Sequence, residues 1–238
     1  MRKLLGTLFI LALACAGPAQ AQQDRPGLLG GGRATPNFLG TTGLLMTPSA
    51  YTVGERGAAA HAHGASHFWS AGALVGPVDR LEVGASYLSF EDDCGCDDNA
   101  VFLNAKYMLL REGRAMPALS VGVVDALDEL DLRPSWYFVL SKDIGRLVPL
   151  SGLGLRAHLG FGDGLYDLEP FAGLELDFGN FTDATPLTRV RTSLMLETMN
   201  GDVNLGLRAK WKGLGITFGV FDFNEIGGGI SYTTGLRL

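Results

Sequence analysis

From residue 57 onward, apolar side chains alternate with small or polar ones in successive short segments. In the segment 153–161, Leu153, Leu155 and Leu159 alternate with Arg156 and His158. Successive side chains of a β-strand point to opposite faces, so this period of two indicates strands with one apolar and one polar face. The repetition of the pattern predicts an all-β chain of about twelve strands, within a range of roughly 10–14.

The connections between these segments predict antiparallel hairpins. Asn200-Gly201 is a strong hairpin signal, because both residues tolerate the positive φ angles of a type I′ turn. Further short turns are expected at 77–79 and 212–213, and longer polar or acidic connections at 91–99, 125–133, 162–168 and 180–188. Short turns combined with longer loops are typical of transmembrane barrels with periplasmic turns and external loops.

The polar faces of the strands carry mainly glycine, serine and isolated charges of both signs. The chain has 34 glycines among 238 residues, about twice the usual share of roughly 7%. Five charges are expected to face a narrow lumen: Arg156, Glu175, Arg191, Glu197 and Arg208. The favoured fold is an antiparallel up-and-down transmembrane β-barrel, and a soluble β-sandwich binding protein, secreted or periplasmic, is the alternative.

The N-terminus has the pattern of an export signal. Arg2 and Lys3 precede an apolar run over 4–17 that is too short to span a bilayer, and Ala19-Gln20-Ala21 provides a cleavage site. We predict a signal peptide over 1–21, with lipoprotein cleavage before Cys15 as the alternative. A flexible leader over 22–39 and one barrel domain over 40–238 follow.

Residues 40–50 form the motif that is most specific to a family. Its characteristic residues are Gly40, Gly43, Leu44, Pro48, Ser49 and Ala50. This motif, followed by short alternating strands, resembles the entry motif of YjbH-like outer-membrane proteins, and the segment 79–84 resembles the second strand region that follows it in that family. The resemblance implies an outer-membrane β-barrel associated with exopolysaccharide production and secretion. We expect the two glycines to permit a tight backbone, Pro48 to stop strand pairing, and the residues 44–46 to insert at a barrel mouth.

Three histidines share one parity of the first strand region. His61 and His63 are close enough to bind one metal ion, whereas His67 is too distant unless the strand bends at Gly64. The alternative interpretation, which we favour, is that these residues simply face the lumen. We predict no cofactor.

Two cysteines lie in an acidic loop. Cys94 and Cys96 are flanked by aspartates at 92–93 and 97–98. In an exported protein they are candidates for a disulfide, and capture of a metal by this acidic thiol cluster is the alternative.

A lipid-modifying outer-membrane enzyme is a second alternative function. His158 could meet Ser193 across a barrel, but the sequence has no Gly-x-Ser-x-Gly motif. We predict no catalysis, and a structural, pore or export-related role in the outer membrane of a diderm bacterium. The expected partners are outer-membrane lipid, the barrel assembly machinery and polysaccharide. Nucleic acid is not expected, because the sequence pI is near 5.2.

Overall fold

The computed structural model describes residues 34–91, 97–130, 133–146, 153–180 and 190–235. Within these ranges, twelve strands form a closed antiparallel barrel in which each strand pairs with its neighbours in sequence and the first pairs with the last. The strands are β1 (Gly57–Gly64), β2 (Phe68–Val75), β3 (Leu81–Glu91), β4 (Asp97–Leu110), β5 (Ala118–Val124), β6 (Ser135–Asp143), β7 (Gly154–Gly162), β8 (Pro170–Asn180), β9 (Arg191–Met199), β10 (Asp202–Trp211), β11 (Leu214–Phe221) and β12 (Glu225–Gly235). The predicted fold class and strand number are confirmed.

The described helices are short. Two single-turn 3₁₀ helices lie at Ile144–Arg146 and Gly164–Tyr166, in the connections on either side of β7. Among the described residues, none of the helices has the length and apolar character needed to cross a membrane.

Large apolar side chains cover the outside of the barrel. In β10, for example, Leu205 and Leu207 are exposed while Asn204 and Arg208 are buried in the lumen. Exposed aromatic residues lie toward both rims, with Trp69 and Trp136 toward one and Trp211 and Tyr232 toward the other. This apolar surface with aromatic rims is the pattern of an outer-membrane barrel. The sandwich alternative is wrong, because the apolar faces point outward instead of meeting between two sheets.

The connections between the strands lie at the two ends of the barrel. We call the end where β1 begins and β12 finishes the entry end, and the opposite one the far end. Asn200 and Gly201, with φ angles of 55° and 85°, form the predicted tight turn at the far end. The longer connection 163–169 lies at the same end, and the short turn 212–213 shares the entry end with the longer connection 111–117. Contrary to expectation, short turns and longer connections are therefore mixed at both ends.

Residues 34–53 enter the lumen as a folded segment, which we call the plug. Ala34 lies near Thr233 at the entry end, the chain rises to Leu45 and Met46 toward the far end, and it returns to β1. Two antiparallel bridges, Pro36 with Thr42 and Gly43 with Pro48, hold it as a compact hairpin.

The plug changes two predictions. The leader predicted over 22–39 includes residues 34–39, which are buried in the lumen and hydrogen-bonded to its wall; residues 22–33 lie outside the described ranges, as does the predicted signal peptide. The motif residues 44–46 reach well inside the barrel instead of stopping at its mouth, because the lumen offers them both apolar and polar partners.

Glycines on the lumen wall make room for the plug. A Cβ atom added at Gly173 would lie 2.7 Å from Leu44 Cδ2, and one added at Gly206 would lie 2.7 Å from Leu45 Cδ2. Phe38, Leu44 and Leu45 pack with Met195 and Phe221 of the wall. The barrel interior is thus a packed core that the wall and the plug build together.

Candidate functional site: the plugged lumen

Glu197 on β9 holds the tip of the plug by its backbone. Its carboxylate accepts hydrogen bonds from the N–H groups of Leu45, Met46 and Thr47 at 3.1, 2.8 and 3.1 Å, and from Thr47 Oγ1 at 2.8 Å. Asn204 Nδ2 donates a further bond at 3.1 Å. Several donors converging on one buried carboxylate offset the cost of burying its charge.

Arg208 on β10 holds the same region through its carbonyl groups. Its guanidinium donates to Gly43 O at 3.1 Å and to Leu44 O at 2.5 Å, and its Nε donates to Thr217 Oγ1 at 3.2 Å. Glu197 accepts hydrogen bonds from N–H groups of the plug backbone, whereas Arg208 donates hydrogen bonds to its carbonyl groups. The two side chains together therefore bind both the donors and the acceptors of the same stretch of main chain.

A buried ion pair holds the middle of the plug. Lys106 Nζ on β4 lies 3.2 Å from Glu82 Oε1 on the neighbouring β3, and both side chains are almost completely buried. Lys106 also donates to the carbonyls of Thr42 and Ser49 and to the Thr42 hydroxyl. Glu82 accepts from the N–H groups of Thr42 and Val53, each at 3.0 Å.

Neutral wall side chains complete the attachment, again through the plug backbone. Ser70 donates to Phe38 O at 2.6 Å and Asn104 to Leu39 O at 2.9 Å. Ala50 lies between two serines, since Ser120 donates to its carbonyl at 2.6 Å and its N–H donates to Ser141 Oγ at 2.7 Å. The wall therefore recognises the main chain of the plug more than its side chains.

Two glycines of the motif lie where a side chain would clash with neighbouring atoms. Gly40 has a φ angle of 75°, and a Cβ atom there would lie 1.8 Å from Ser86 Oγ. A Cβ atom at Gly43 would lie 2.1 Å from Thr47 O, across the small hairpin. Pro48 takes part in the bridge to Gly43, and Ser49 N–H donates to Thr42 O at 2.9 Å, so pairing continues through the proline where we expected it to stop.

The five charges expected in the lumen occupy three settings. Glu197 and Arg208 bind the plug, as described above. Arg156 lies between Glu175, at 3.4 Å, and Asp177, with which it makes a close ion pair on the adjacent strand. Arg191, the first residue of β9, is exposed near the entry end.

The histidine pair is buried in the lumen beside the plug. The rings of His61 and His63 stack with centroids 5.1 Å apart, and Phe38 of the plug stacks on His63 at 4.5 Å. His67 lies apart from them, 3.4 Å from Glu225. No group of three His, Cys, Asp or Glu in the described ranges could hold a metal ion. Cys94 and Cys96 lie outside these ranges, so the disulfide stays a prediction.

His158 has a partner other than the serine considered for catalysis. Its Nδ1 lies 2.8 Å from Ser141 Oγ, and the same hydroxyl accepts the N–H of Ala50 in the plug. His158 and Ser141 are 3% and 1% exposed. This Ser–His contact supports the plug and is closed to a lipid substrate in the present conformation.

The model of a known protein family matches the plug and the strands that follow it. The model of the YjbH family, described as "Exopolysaccharide biosynthesis protein YbjH", matches residues 35–170, beginning at the plug and extending through seven strands to the start of β8. This chain belongs to the YjbH family. No curated protein matches it.

Solved structures with a similar architecture are porins. The KdgM porin is 8% identical with a TM-score of 0.49, and the alignment covers 76% of the present YjbH-family chain and 99% of the porin. KdgM porin in complex with disordered oligogalacturonate has the same coverage and identity, with a TM-score of 0.47. A triple mutant of the Rhodopseudomonas blastica porin is 9% identical over 71% of this chain and 56% of its own, with a TM-score of 0.33.

Sequence reasoning missed Glu82 and Lys106 as site residues of this YjbH protein. Both stand on the polar parity of their strands, and the register of β3 and β4 places them directly opposite each other. Two opposite charges on paired lumen-facing positions are a signal that the sequence already contained. Their contact with the plug has no such signal, because it involves mainly backbone atoms, together with the Thr42 hydroxyl.

Glu112, in the connection between β4 and β5, fastens the plug at the entry end. It accepts hydrogen bonds from the Tyr51 hydroxyl and the Asp143 N–H, each at 2.8 Å, and lies 3.3 Å from Lys142 Nζ. Burial by itself would raise the pKa of Glu112, but these two hydrogen bonds and the charge of Lys142 together hold that pKa below its ordinary value.

This arrangement predicts a pH-dependent loss of stability. A carboxyl whose pKa is lowered by folding stabilises the folded state above its ordinary pKa of about 4.3, and this contribution disappears as the pH falls through the lowered value. In thermal unfolding between pH 7 and pH 3, we expect Glu112→Gln to be less stable than the parent at pH 7 and to lose less stability on acidification. The exposed Glu55→Gln serves as the control. Parallel pH profiles for the parent and Glu112→Gln would contradict this role.

Proposed function

We propose that this protein is an outer-membrane conduit for exopolysaccharide export, closed at rest by its own plug and opened when the plug moves. The observation that carries the proposal is the way the lumen is filled. A single chain segment occupies it and is attached to the wall largely through hydrogen bonds to its backbone. Such bonds can be exchanged for bonds to water or to a passing ligand.

The wall that the plug covers suits a polyhydroxylated chain. Glu82, Lys106, Glu197 and Arg208 present charged donors and acceptors at several heights of the lumen, and serines add hydroxyl groups. Sugar hydroxyls donate and accept hydrogen bonds, as the plug backbone does. With the plug displaced, these side chains would line a polar passage within an apolar outer shell. The family description, which concerns exopolysaccharide biosynthesis, supports this choice of cargo.

We also propose how the protein reaches the outer membrane and which partners it meets there. Export would use the cleaved signal peptide over 1–21, and insertion would use the barrel assembly machinery, with outer-membrane lipid against the apolar exterior. The role is transport without catalysis.

A disulfide between the plug and the wall tests whether the plug must move. A Cβ atom at position 173 would lie 3.4 Å from Thr47 Oγ1, so cysteines at these two positions are close enough to be joined. In a background with Cys94 and Cys96 replaced by serine, we expect Thr47→Cys/Gly173→Cys cells to release little exopolysaccharide until a reductant is added.

The matched control is Thr47→Ser/Gly173→Ser, which places side chains of similar size at both positions but cannot form the link. It should export equally under oxidising and reducing conditions, at the level that the cysteine pair reaches after reduction. Normal export by a protein that is fully cross-linked on a non-reducing gel would refute the conduit and favour a closed, structural barrel.

A further inference from the structure

Two buried histidines lie against the plug in the lumen. The rings of His61 and His63 on β1 stack with centroids 5.1 Å apart, and the two residues are 5% and 3% exposed. Phe38 of the plug covers the other face of His63, with the ring centroids 4.5 Å apart. A Cβ atom added at Gly40, also in the plug, would lie 3.0 Å from His61 Nε2. The plug therefore packs against both rings.

Most of the ring nitrogens in this pair have no hydrogen-bond partner. Both nitrogens of His63 and the Nδ1 atom of His61 are buried and unpaired among the described residues, while His61 Nε2 lies 3.4 Å from Ser86 Oγ. The wall beside the rings includes glycines, since a Cβ atom at Gly72 would lie 2.8 Å from His61 Nε2 and one at Gly229 would lie 2.3 Å from His63 Cδ2. Buried polar side-chain atoms are normally paired, so this packing is unusual and suits two neutral rings.

The groups that face the pair do not compensate a positive charge on it. Arg208 on β10 is the charged side chain that acts on His63, and it has the same sign as a protonated ring. A backbone group of Asn37 in the plug faces His63 outside hydrogen-bond geometry. Among the described residues, the histidine that contacts a carboxylate is His67, 3.4 Å from Glu225. Strands β2 and β12 thus turn glycine toward the pair, β3 a serine and β10 a cation.

Protons on these rings would destabilise the closed barrel. The two rings would become adjacent cations beside Arg208, and their N–H groups would be buried without acceptors. The face of Phe38 attracts a cation but offers these N–H groups no acceptor of ordinary geometry. Displacement of Phe38 and Gly40 would admit water, which supplies acceptors and a high dielectric constant. Protonation therefore favours the state in which the plug has left the pair.

We propose that His61 and His63 form an acid-sensitive release for the plug, so that the barrel opens when both rings are protonated. The inference rests on the proposed function only in requiring that the plug can move. A group that binds a proton in the open state and not in the closed one shifts the equilibrium toward the open state as the pH falls. Histidine ordinarily titrates near pH 6.5, so at pH 5.5 each exposed ring contributes a factor of about ten, and the pair a factor of up to about 100.

Planar-bilayer recordings of the full-length mature protein at pH 7.5 and pH 5.5 test this release. No polysaccharide is present, and pH 5.5 is chosen because carboxyl groups ordinarily titrate near pH 4. We expect the open probability of the parent to rise at least about tenfold on acidification. His61→Gln/His63→Gln and His61→Phe/His63→Phe, the second of which keeps the aromatic stack, should each rise less than about twofold. His67→Gln, which removes an exposed histidine, is the matched control and should respond as the parent does.

The cross-linked plug shows whether acid opens the same passage. Oxidised Thr47→Cys/Gly173→Cys, in the background with Cys94 and Cys96 replaced by serine, should stay closed at pH 5.5 and should respond to acid after reduction. A parent that stays closed in acid, a histidine double variant that opens as strongly as the parent, or acid opening of the cross-linked protein would each overturn the proposal. Acid opening of a parent that exports no exopolysaccharide would support the release and refute the conduit.

Discussion

Replacing Glu197 with alanine should open the barrel. The change removes the acceptor for three plug N–H groups and for the Thr47 hydroxyl, all in the buried lumen. Each buried donor left without a partner costs about 1–3 kcal/mol, and the displaced plug can recover hydrogen bonds to water. A net loss of about 3 kcal/mol would raise the open population roughly 100-fold, since 1.4 kcal/mol corresponds to a factor of ten.

Single-channel recordings in planar bilayers measure this effect directly. The parent should be closed for most of the recording time, and Glu197→Ala should show frequent conducting events. A variant lacking residues 34–52 defines the conductance of the open lumen. Glu175→Ala is the matched control, because Glu175 is another buried lumen carboxylate that faces Arg156 and has no hydrogen bond to the plug among the described residues. If Glu197→Ala were as closed as Glu175→Ala, Glu197 would not be the attachment that holds the plug in place.

Replacing Lys106 with methionine should destabilise the whole barrel. The substitution leaves the Glu82 carboxylate buried without its cation and removes the donor to Thr42 and Ser49 of the plug. Breaking one side of a buried ion pair typically costs about 3–5 kcal/mol. We expect a loss of this size in the free energy of unfolding, measured by urea titration of the detergent-solubilised protein.

A double-mutant cycle separates the ion pair from the lost plug contacts. Lys106→Met/Glu82→Gln should recover a large part of the stability, because the uncompensated charge is gone. The exposed Lys212→Met, at the turn between β10 and β11, should change stability by no more than about 0.5 kcal/mol. If the double variant were as unstable as Lys106→Met alone, the cost would come from the plug contacts and not from the stranded carboxylate.

The barrel itself was predictable because its signal is local. Alternation along each strand decides which side chains face lipid and which face the lumen, as in β10, where Leu207 is exposed and Arg208 buried. The turn at Asn200-Gly201 follows from the φ angles that its two residues tolerate. The motif over 40–50 indicated the family, and residues 35–170 match it.

The plug was not predictable from the same reasoning. Residues 34–39 look like a leader by composition, and their burial depends on partners far away in sequence, such as Ser70 and Asn104. Glu197 was recognisable as a lumen charge, but the sequence offers more than one cation on other strands as its partner, such as Arg156 on β7 and Arg208 on β10. Its bonds to Leu45, Met46 and Thr47 connect residues about 150 positions apart.

The sequence alone thus determined a barrel of about twelve strands, the side chains that line it and the family to which it belongs. Only the tertiary structure decided that the lumen is filled and by which segment. The physical reason is that the wall binds the plug mainly through backbone N–H and C=O groups. Every residue except proline carries both groups, so no pattern of side chains marks a segment that is bound in this way.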